Sequence, residues 1–460
     1  MASQGQAHAG GREERRIDSM WRVPGYIPTL MAVACAFGSW SLLLPVVPSA
    51  VLDGGGGELL AGATTGIFMA ATVVTQVCTP GLLRRFGYNP VMVAAALVLG
   101  VPSLGYLLGM DAAPALLFSA IRGVGFGALT VAESALVAEL VPVRFLGKAS
   151  GMLGVFVGLA QMIFLPLGLA LAHTPLGYPG VYAIAAAVGA LAGAMCLRIP
   201  RLRPSSAPAG RAGTEAADGT GDTEVTVAGP ADPEHAVPRA STWKLVTVPA
   251  LAVASISMSF GAVSSFLPAA STALDAELGA LLAGFMLSIT GGAAMVFRFL
   301  SGAVADRRGR PGATMIPGQV LAGAGVALIA AALFAEGSVW WLALGAAAFG
   351  GGFGVVQNEA LLSMFLRLPR SRVSEASAIW NIAYDSGTGL GSFLLGAVAA
   401  RAAYSGAFAT AAALIAVGVA VTAADAVAGR HRLTELHNTR ARLRRIPAAR
   451  RAWRWVRWRR

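Results

Sequence analysis

Charged residues are scarce in this chain of 460 residues. Asp, Glu, Lys and Arg together make up 13% of it, whereas hydrophobic residues make up 56%. Because a soluble domain carries about 25% charged residues, this composition excludes a water-soluble globular protein. It indicates instead an integral membrane protein.

Cysteine and histidine are rare as well, with three and five copies respectively. Cys35, Cys78 and Cys196 lie within apolar runs and lack metal-ligand spacing, so we interpret them as packing residues and not as disulfides. All five histidines fall in predicted tails or loops. We therefore expect no buried metal, no haem and no other cofactor.

Long apolar runs, by contrast, are abundant. A bilayer core of about 30 Å is crossed by about 20 helical residues, and twelve runs are long enough. They cover residues 27–49, 58–79, 89–110, 114–138, 148–172, 178–197, 245–268, 277–301, 313–335, 338–362, 374–400 and 405–427. The predicted fold class is an all-α integral membrane protein with twelve transmembrane helices. Residues 1–22 show no short apolar core before a cleavage site, so we expect no signal peptide.

Basic residues are unevenly distributed over the predicted connections. If every run crosses the membrane, 32 of the 35 Lys and Arg lie on one side, Arg401 lies on the other, and Arg122 and Arg298 lie within helices. The positive-inside rule assigns the basic side to the cytoplasm. We therefore predict a multi-pass protein of the plasma membrane with both termini in the cytoplasm.

Short patterns recur at a nearly constant offset. Phe37-Gly38 returns as Phe260-Gly261 at an offset of 223, and residues 125–127 (GFG) return as residues 352–354 at 227. Repetition in the same order indicates duplication of a six-helix unit. The predicted segments are a cytoplasmic tail (1–23), a first bundle (24–197), a flexible cytoplasmic linker (198–243), a second bundle (244–428) and a basic tail (429–460).

A nine-residue motif follows the eighth run. Residues 302–310 read GAVADRRGR, which places Asp306 and three arginines among small residues. Such a charge cluster is not stable in hydrocarbon, so we expect a tight, water-facing turn between two helices. Asp306 is expected to pair with an arginine or with the positive N-terminal end of a neighbouring helix.

This motif resembles the loop motif G-x-x-x-D-R-x-G-R of the major facilitator superfamily, which Gly302, Asp306, Arg307, Gly309 and Arg310 match. The resemblance implies two pseudo-symmetric six-helix bundles around a central cavity. The first, fourth, seventh and tenth helices would line the cavity. The second, fifth, eighth and eleventh would lie at the interface between the bundles.

The corresponding connection of the first half departs from the motif. Residues 80–87 read PGLLRRFG, so Arg84 stands where the family has its Asp and Pro80 where it has its first Gly. The charge relay attributed to that Asp is therefore not expected in the first half. Asp306 is the residue to test.

The fourth run contains Arg122 within RGVGFG (122–127), which is similar to an Arg-and-glycine motif of proton-driven members of the family. An arginine within the membrane needs a carboxylate, backbone carbonyls or water. Glu133 lies eleven residues on, which at 100° per residue returns to within about 20° of the Arg122 face. We expect both side chains to face one cavity.

Few other ionisable groups are predicted within the membrane, where a charge costs about 2.5 to over 10 kcal/mol. A carboxylate held away from water takes up a proton more readily. Glu133 and Glu359 occupy nearly equivalent places in the two repeats. The predicted proton-coupling residues are Glu133, Glu359, Asp385 and Arg122. The alternative is that the two glutamates form structural pairs with Arg122 or Arg298.

Aromatic, amide and acid side chains combine in residues 380–387 of the eleventh run. Asn381 and Asp385 share one helix face, and Trp380 and Tyr384 form a second pair beside them. This arrangement suits an amphipathic or cationic substrate, and polar contact between helices is the alternative. The predicted substrate-binding residues are Trp40, Gln357, Asn358, Trp380, Asn381 and Tyr384.

The basic tail holds twelve arginines with Trp453, Trp455 and Trp458 interleaved. Beside a membrane this pattern indicates binding to anionic lipid headgroups. The alternative is a disordered tail with no role of its own, and no fold supports nucleic-acid binding.

These patterns and the resemblance favour a monomeric, proton-coupled carrier, most similar to bacterial efflux members of the family. It would export a small amphipathic molecule by alternating access in exchange for protons. The closest alternative is a proton-coupled uptake symporter for a small nutrient. A transport-inactive membrane scaffold or receptor is the third interpretation. No nucleophile–base pair, metal set or phosphate loop points to an enzyme.

Overall fold

The computed structural model describes residues 19–56, 58–204, 242–309 and 311–428, which are almost wholly helical. Apolar runs become helices because a backbone in lipid has to satisfy its own N–H and C=O groups. The first half consists of α1 (Tyr26–Leu43, continued by Val46–Asp53), α2 (Glu58–Phe86), α3 (Tyr88–Gly100, continued by the 3-10 helix Val101–Leu108), α4 (Ala112–Leu140), α5 (Leu146–Ala172) and α6 (Gly177–Cys196).

The second half consists of α7 (Thr242–Leu274), α8 (Leu278–Arg308), α9 (Met315–Phe334), α10 (Val339–Arg367) and the run Val373–Ala428. That run has 56 residues. As one straight helix it would measure about 84 Å, far more than a bilayer core of about 30 Å.

A break in the backbone divides this last run into two helices. Ala402 (φ −127°, ψ 23°) and Ala403 (φ 54°, ψ −176°) are not helical. The break separates α11 (373–401) from α12 (404–428). The described residues therefore contain twelve membrane-crossing helices, which confirms the predicted number.

Three glycines on α4 and three on α10 let neighbouring helices approach backbone to backbone. A Cβ atom at any of the six would overlap the main chain of the neighbour. The contacts are Gly123 with Phe68, Gly125 with Ala95 and Leu99, Gly127 with Thr72, Gly350 with Thr290, Gly352 with Gly318 and Ala322, and Gly354 with Ala294. Each residue of the second set lies 222 to 227 positions beyond its counterpart in the first. This repetition of individual contacts confirms two pseudo-symmetric bundles.

The two halves meet through α2, α4 and α5 of the first and α8, α10 and α11 of the second. We call the end that carries the connections after α2, α4, α8 and α10 the basic end. The hydrogen bonds between the halves, from Gln76–Asp385 to Arg84–Glu375, lie in the helix halves nearest this end. Among the described residues α1 and α7 share no packed interface. The halves are therefore closed at the basic end and part toward the opposite end.

The start of the predicted linker packs against the first half. The side-chain amide of Asn89 donates to the carbonyls of Cys196 and Ile199, both at 2.8 Å, and the Tyr88 N–H donates to the Leu202 carbonyl at 2.9 Å. Residues 198–204 thus belong to the first half, and the predicted boundary is too early. The rest of the predicted linker, 205–241, and the tails 1–18 and 429–460 lie outside the described residues.

Adding a methyl group at Gly125 or Gly352 should destabilise the protein by about 1–3 kcal/mol, because the overpacked helices have to move apart. Alanine at Gly291 is the matched control, since nothing lies within 4 Å of a Cβ there and alanine is the better helix former. Thermal unfolding of the purified Gly125→Ala, Gly352→Ala and Gly291→Ala proteins tests this expectation. Equal melting temperatures for the three would contradict the backbone contacts.

Candidate functional site

The charged motif forms the last turns of α8 and not the separate turn that we predicted. Helix α8 continues to Arg308, and Gly309, at φ 57°, ends it in the left-handed conformation that glycine adopts most easily. The helix continues because its packing against α5 extends to Asp306. Arg307 and Arg308 are exposed beyond that contact, and Arg310 lies outside the described residues.

Asp306 and Gly302 join α8 to the beginning of α5. The Asp306 carboxylate accepts the backbone N–H groups of Gly147 at 2.7 Å and Lys148 at 2.8 Å. N–H groups in a first turn have no partner within their own helix, and the helix dipole favours a negative charge there. Gly302 lies against Gly147, where a Cβ would overlap the carbonyl. Of the two pairings expected for Asp306, the structure contains the one with a helix N-terminus.

The corresponding contact of the first half joins α2 to α11, and there α2 carries a basic residue where α8 carries the acid Asp306. Arg84 donates to Glu375 at 3.1 Å, and Glu375 lies in the first turn of α11. Arg84 is 222 residues before Asp306, and Lys148 is 227 residues before Glu375. The first half therefore does keep an electrostatic contact at this place, contrary to the prediction. The acid is on α11 and the base on α2.

Arg298 lies on α8 where the two halves meet. Its Nη1 donates to the Gln357 side chain of α10 at 2.8 Å, and its guanidinium carbon lies 5.7 Å from the centre of the Trp380 ring of α11. A Cβ at Gly154 of α5 would overlap the Arg298 side chain. Arg298 is only half-buried. No carboxylate of the described residues lies within 4.0 Å of its nitrogens.

Glu133 of α4 lies within electrostatic range of Arg298, across the interface between the halves. Its side chain is buried, with 5% of its surface exposed, and its Oε2 has no hydrogen-bond partner among the described residues. A buried carboxylate that lacks part of its hydrogen bonding is costly. A proton or a closer counter-charge would stabilise it.

Asp385 of α11 is held by the first half. Its carboxylate accepts the side-chain amide of Gln76 of α2 at 2.6 Å, and that amide also lies 3.3 Å from the Thr130 hydroxyl. Beside it, Tyr384 stacks on Trp380 with ring centres 5.5 Å apart and planes 9° apart. Asp385 and Tyr384 are half-buried, like Arg298. We call Glu133, Arg298, Gln357, Trp380, Tyr384 and Asp385 the central site.

Two predicted substrate-binding amides make contacts between helices instead. Asn381 donates to the Ser377 carbonyl at 2.9 Å and to the Thr130 carbonyl at 3.3 Å, which joins α11 to α4. Asn358 is fully buried and donates to the Ser301 hydroxyl of α8 at 3.2 Å. The alternative role, polar contact between helices, accounts for both. Gln357 differs because it holds Arg298.

Glu359 fixes the beginning of α9. Its carboxylate accepts the Gly312 N–H and the Thr314 hydroxyl, the latter at 2.6 Å, and its side chain is fully buried. At the repeat offset of 227 the counterpart of Glu133 is Ala360 and not Glu359. One residue along a helix turns a side chain by about 100°. The two glutamates therefore contact different neighbours and are not equivalent.

Arg122 and Trp40 line a separate cavity in the first half. The Nε of Arg122 donates to the Leu99 carbonyl at 3.1 Å and its Nη1 to the Tyr106 hydroxyl at 3.4 Å. The cavity measures about 20 Å³, which is room for about one water molecule. Contrary to expectation, Arg122 and Glu133 are not brought together, because eleven residues separate them by about 16 Å along α4.

Arg298 belongs to the central site and Gln76 contacts it, although neither was a predicted site residue, and Arg298 was expected only as a possible structural partner of the two glutamates. Arg298 and Gln76 each lie on the second helix of their half, and the two are 222 residues apart. Each also contacts the fourth helix of its half, at Gln357 and at Thr130, which are 227 apart. The repeat offset is the signal that could have found them. When the two halves are aligned, the membrane arginine Arg298 corresponds to the glutamine Gln76.

A further acid, near the end of α12, forms an ion pair with α10. Asp425 of α12 pairs with Arg367 of α10 at 2.9 Å. Among the described residues, no group of three His, Cys, Asp or Glu side chains is arranged to hold a metal ion.

The family model described as Major Facilitator Superfamily matches residues 29–392 of this chain, from α1 to the middle of α11, and this range includes the central site. The chain belongs to the major facilitator superfamily. This superfamily consists of multi-pass membrane transporters, which confirms the class of protein predicted from the sequence.

Relatives within the superfamily match a shorter segment. Two uncharacterized MFS-type transporters of Mycobacterium tuberculosis, from strains CDC 1551 and H37Rv, are each 30% identical over 129 residues. The match covers 28% of this chain and 19% of the length of those relatives.

Solved structures of superfamily members share the fold along most of the chain. The human organic anion transporter MFSD10 (TETRAN) has a TM-score of 0.65 at 16% identity, covering 87% of this chain and 99% of its own. The E. coli fucose:proton symporter FucP has a TM-score of 0.65 at 16% identity, and the match covers 87% of this chain and 98% of FucP. The proton:xylose symporter XylE has a TM-score of 0.64 at 15% identity, and the match covers 86% of this chain and 94% of XylE. At these identities the likeness shows the fold alone.

Asp306→Asn should leave this superfamily member folded but loosen its closed basic end, because the neutral amide loses the charge that the α5 N-terminus favours. A contribution of about 1 kcal/mol corresponds to a roughly fivefold shift toward the open population. Distances between spin labels at the exposed residues Val143 and Arg308 measure this shift.

The matched control is Asp275→Asn. Asp275 accepts the N–H groups of Glu277 at 3.0 Å and Leu278 at 2.9 Å, so it makes the same kind of contact within one half. Its substitution should leave the label distances unchanged. An unchanged distribution in Asp306→Asn would contradict a role for that contact in closure.

Reversing the polarity of the Arg84–Glu375 pair should show whether it acts as an electrostatic contact. Arg84→Glu alone should weaken closure, and adding Glu375→Arg should restore it. Because both side chains are partly exposed, the effect should stay within about 1 kcal/mol and fall at high salt. The same label distances report the result. A double variant that remains as open as Arg84→Glu would show that Arg84 acts through another group.

Proposed function

We propose that this protein is a proton-coupled exporter of a small amphipathic molecule, working by alternating access in the plasma membrane with both termini in the cytoplasm. The observation that carries the proposal is the position of Glu133, Arg298 and Asp385 at the interface between the halves. Charges at a moving interface change their partners when the halves move. Their affinity for protons therefore depends on the conformation.

The conformation described above supports alternating access. The basic end faces the cytoplasm by the positive-inside rule, so the halves are closed toward the cytoplasm and part toward the outside. Asp306 on the α5 N-terminus and Arg84 on Glu375 stabilise this closure. Both contacts have to break before the transporter opens inward.

Glu133 and Asp385 are the acids that we propose as coupling groups. Glu133 is buried near Arg298 with one oxygen unpartnered among the described residues, and Asp385 contacts Gln76 of the opposite half. Proton uptake by either would change a contact between the halves. Both carboxylate oxygens of Glu359 accept hydrogen bonds at the start of α9, which favours a structural role in holding that helix end. Arg122 remains a predicted coupling residue within the first half.

The composition of the central site supports an amphipathic substrate. The stacked pair Trp380 and Tyr384 offers a flat apolar surface, and Arg298, Gln357 and Asp385 offer polar groups beside it. Binding sites for amphipathic molecules combine these two kinds of surface. The alternative function is proton-coupled uptake, which is favoured by the likeness of the fold to structures named fucose:proton and proton:xylose symporters.

Purified full-length protein in liposomes that contain a lumenal pH dye distinguishes these functions. Compounds from a panel of amphipathic molecules and sugars are added outside at equal pH. Exchange for protons makes the lumen more alkaline when a substrate enters, whereas symport makes it more acidic. Sugars as the only substrates would favour nutrient uptake. Neither uptake nor a pH change with any compound would contradict transport.

Glu133→Gln and Asp385→Asn should each reduce substrate-driven proton flux at least about tenfold, because the amide cannot carry the proton. Glu359→Gln should retain proton flux and lower the melting temperature, since it loses one buried hydrogen bond worth about 1 kcal/mol. The lumenal pH assay and thermal unfolding measure the two effects. Loss of proton flux in Glu359→Gln alone would reverse the assignment.

A further inference from the structure

We infer that Arg298 binds the anionic group of the substrate, and that the substrate class is an amphipathic organic carboxylate. The inference rests on the proposed function, because it names what the central site of that transporter recognises. It stands on the contacts of one side chain and on the helices that surround it.

The guanidinium of Arg298 has unused hydrogen-bonding capacity. It carries five N–H donors, of which Nη1 donates to the neutral Gln357 amide, while Nε is buried without a partner among the described residues. An arginine within a membrane span is costly without an opposite charge. A carboxylate suits the guanidinium fork because its two oxygens accept two parallel N–H groups.

Arg298 lies among side chains of both halves. Its neighbours come from four helices, two in each half: Glu133 on α4, Gly154 on α5, Gln357 on α10 and Trp380 on α11. A side chain enclosed in this way does not face lipid. Because Arg298 is only half-buried, a molecule that enters between the halves can reach it.

An aromatic surface is fixed beside the guanidinium. The Trp380 Nε1 donates to the Gln357 carbonyl at 3.1 Å, which sets the orientation of the indole, and Tyr384 stacks on the same ring. The charged group and the flat apolar surface are therefore adjacent. This arrangement fits a molecule that carries a carboxylate next to an aromatic or aliphatic body.

The distribution of partners favours an anion over the cation that Asp385 had suggested. Asp385 already accepts the Gln76 amide at 2.6 Å, whereas Arg298 has no carboxylate within 4.0 Å among the described residues. Glu133 is the acid that acts on Arg298 from a greater distance. In its ionised form Glu133 therefore competes with a bound anion, and removing that charge should strengthen anion binding.

Matched pairs of ligands that differ only in charge test the inference on the full-length protein in nanodiscs. Benzoate, 1-naphthylacetate and decanoate are each compared with the corresponding amide by thermal stabilisation and equilibrium binding. At least one carboxylate should bind about tenfold or more tightly than its amide, as expected for a charge-assisted hydrogen bond.

Substitutions at the site should change this preference in opposite directions. Arg298→Gln should abolish the preference for the carboxylate, Arg298→Lys should retain part of it, and Glu133→Gln should tighten carboxylate binding several-fold. The matched control is Arg401→Gln, because Arg401 is exposed at the break between α11 and α12. It should keep the full preference.

Two results would overturn the inference: no carboxylate preferred over its amide, or a preference that survives in Arg298→Gln. If Arg298→Gln does not fold, Glu133→Gln decides, and unchanged or weaker carboxylate binding there would count against Arg298. Binding is measured without a gradient and without transport. A protein that binds carboxylates but moves nothing would refute the proposed function alone, whereas coupled transport of amines only would refute this inference alone.

Discussion

Close backbone contact at glycine is the interaction on which this structure depends. In lipid no hydrophobic effect drives one helix toward another, so association relies on packing at short range. Glycines on α4 and α10 provide that packing within each half, and Gly147 with Gly302 provides it between the halves. The last contact lies at the basic end, and from there the packing of α5 on α8 continues through Gly154 and Arg298 to the central site.

The two halves repeat their apolar framework but not their charges. At equivalent positions of the two repeats, Arg84 corresponds to Asp306, Gln76 to Arg298, and Glu133 to Ala360. Glycine contacts are the same in both halves because they set the spacing of helices. The charged positions differ, and each contacts its own partner across the interface: Arg84 contacts Glu375, whereas Asp306 accepts the N–H groups of Gly147 and Lys148. The chemistry of the transporter is therefore concentrated where the internal symmetry fails.

Much of the fold was predictable from the sequence. The length of an apolar run is dictated by bilayer thickness, and the offset of the repeat is visible in Phe37-Gly38 and its copy at Phe260-Gly261. The charged motif was less predictable. The charged cluster around Asp306 was expected to lie outside the helix. Helix α8 nevertheless continues through the cluster, because N–H groups at the N-terminus of α5 donate to the Asp306 carboxylate and stabilise its negative charge. Local composition gives no account of such a neighbour.

The functional site was less predictable from the sequence than the fold. By itself the sequence determined that the chain crosses lipid twelve times in two related halves, that its basic connections lie at one end, and that a few charges stay inside. The halves follow from the repeat, and the other features follow from solvation, which each segment experiences alone. Only the tertiary structure decided that Glu359 anchors α9, that Asn381 joins α11 to α4, and that Arg298 lies between the halves without a carboxylate in contact. Partners are chosen by helix rotation, and a rotation of one residue, as between Glu359 and Ala360, changes every contact that a side chain makes.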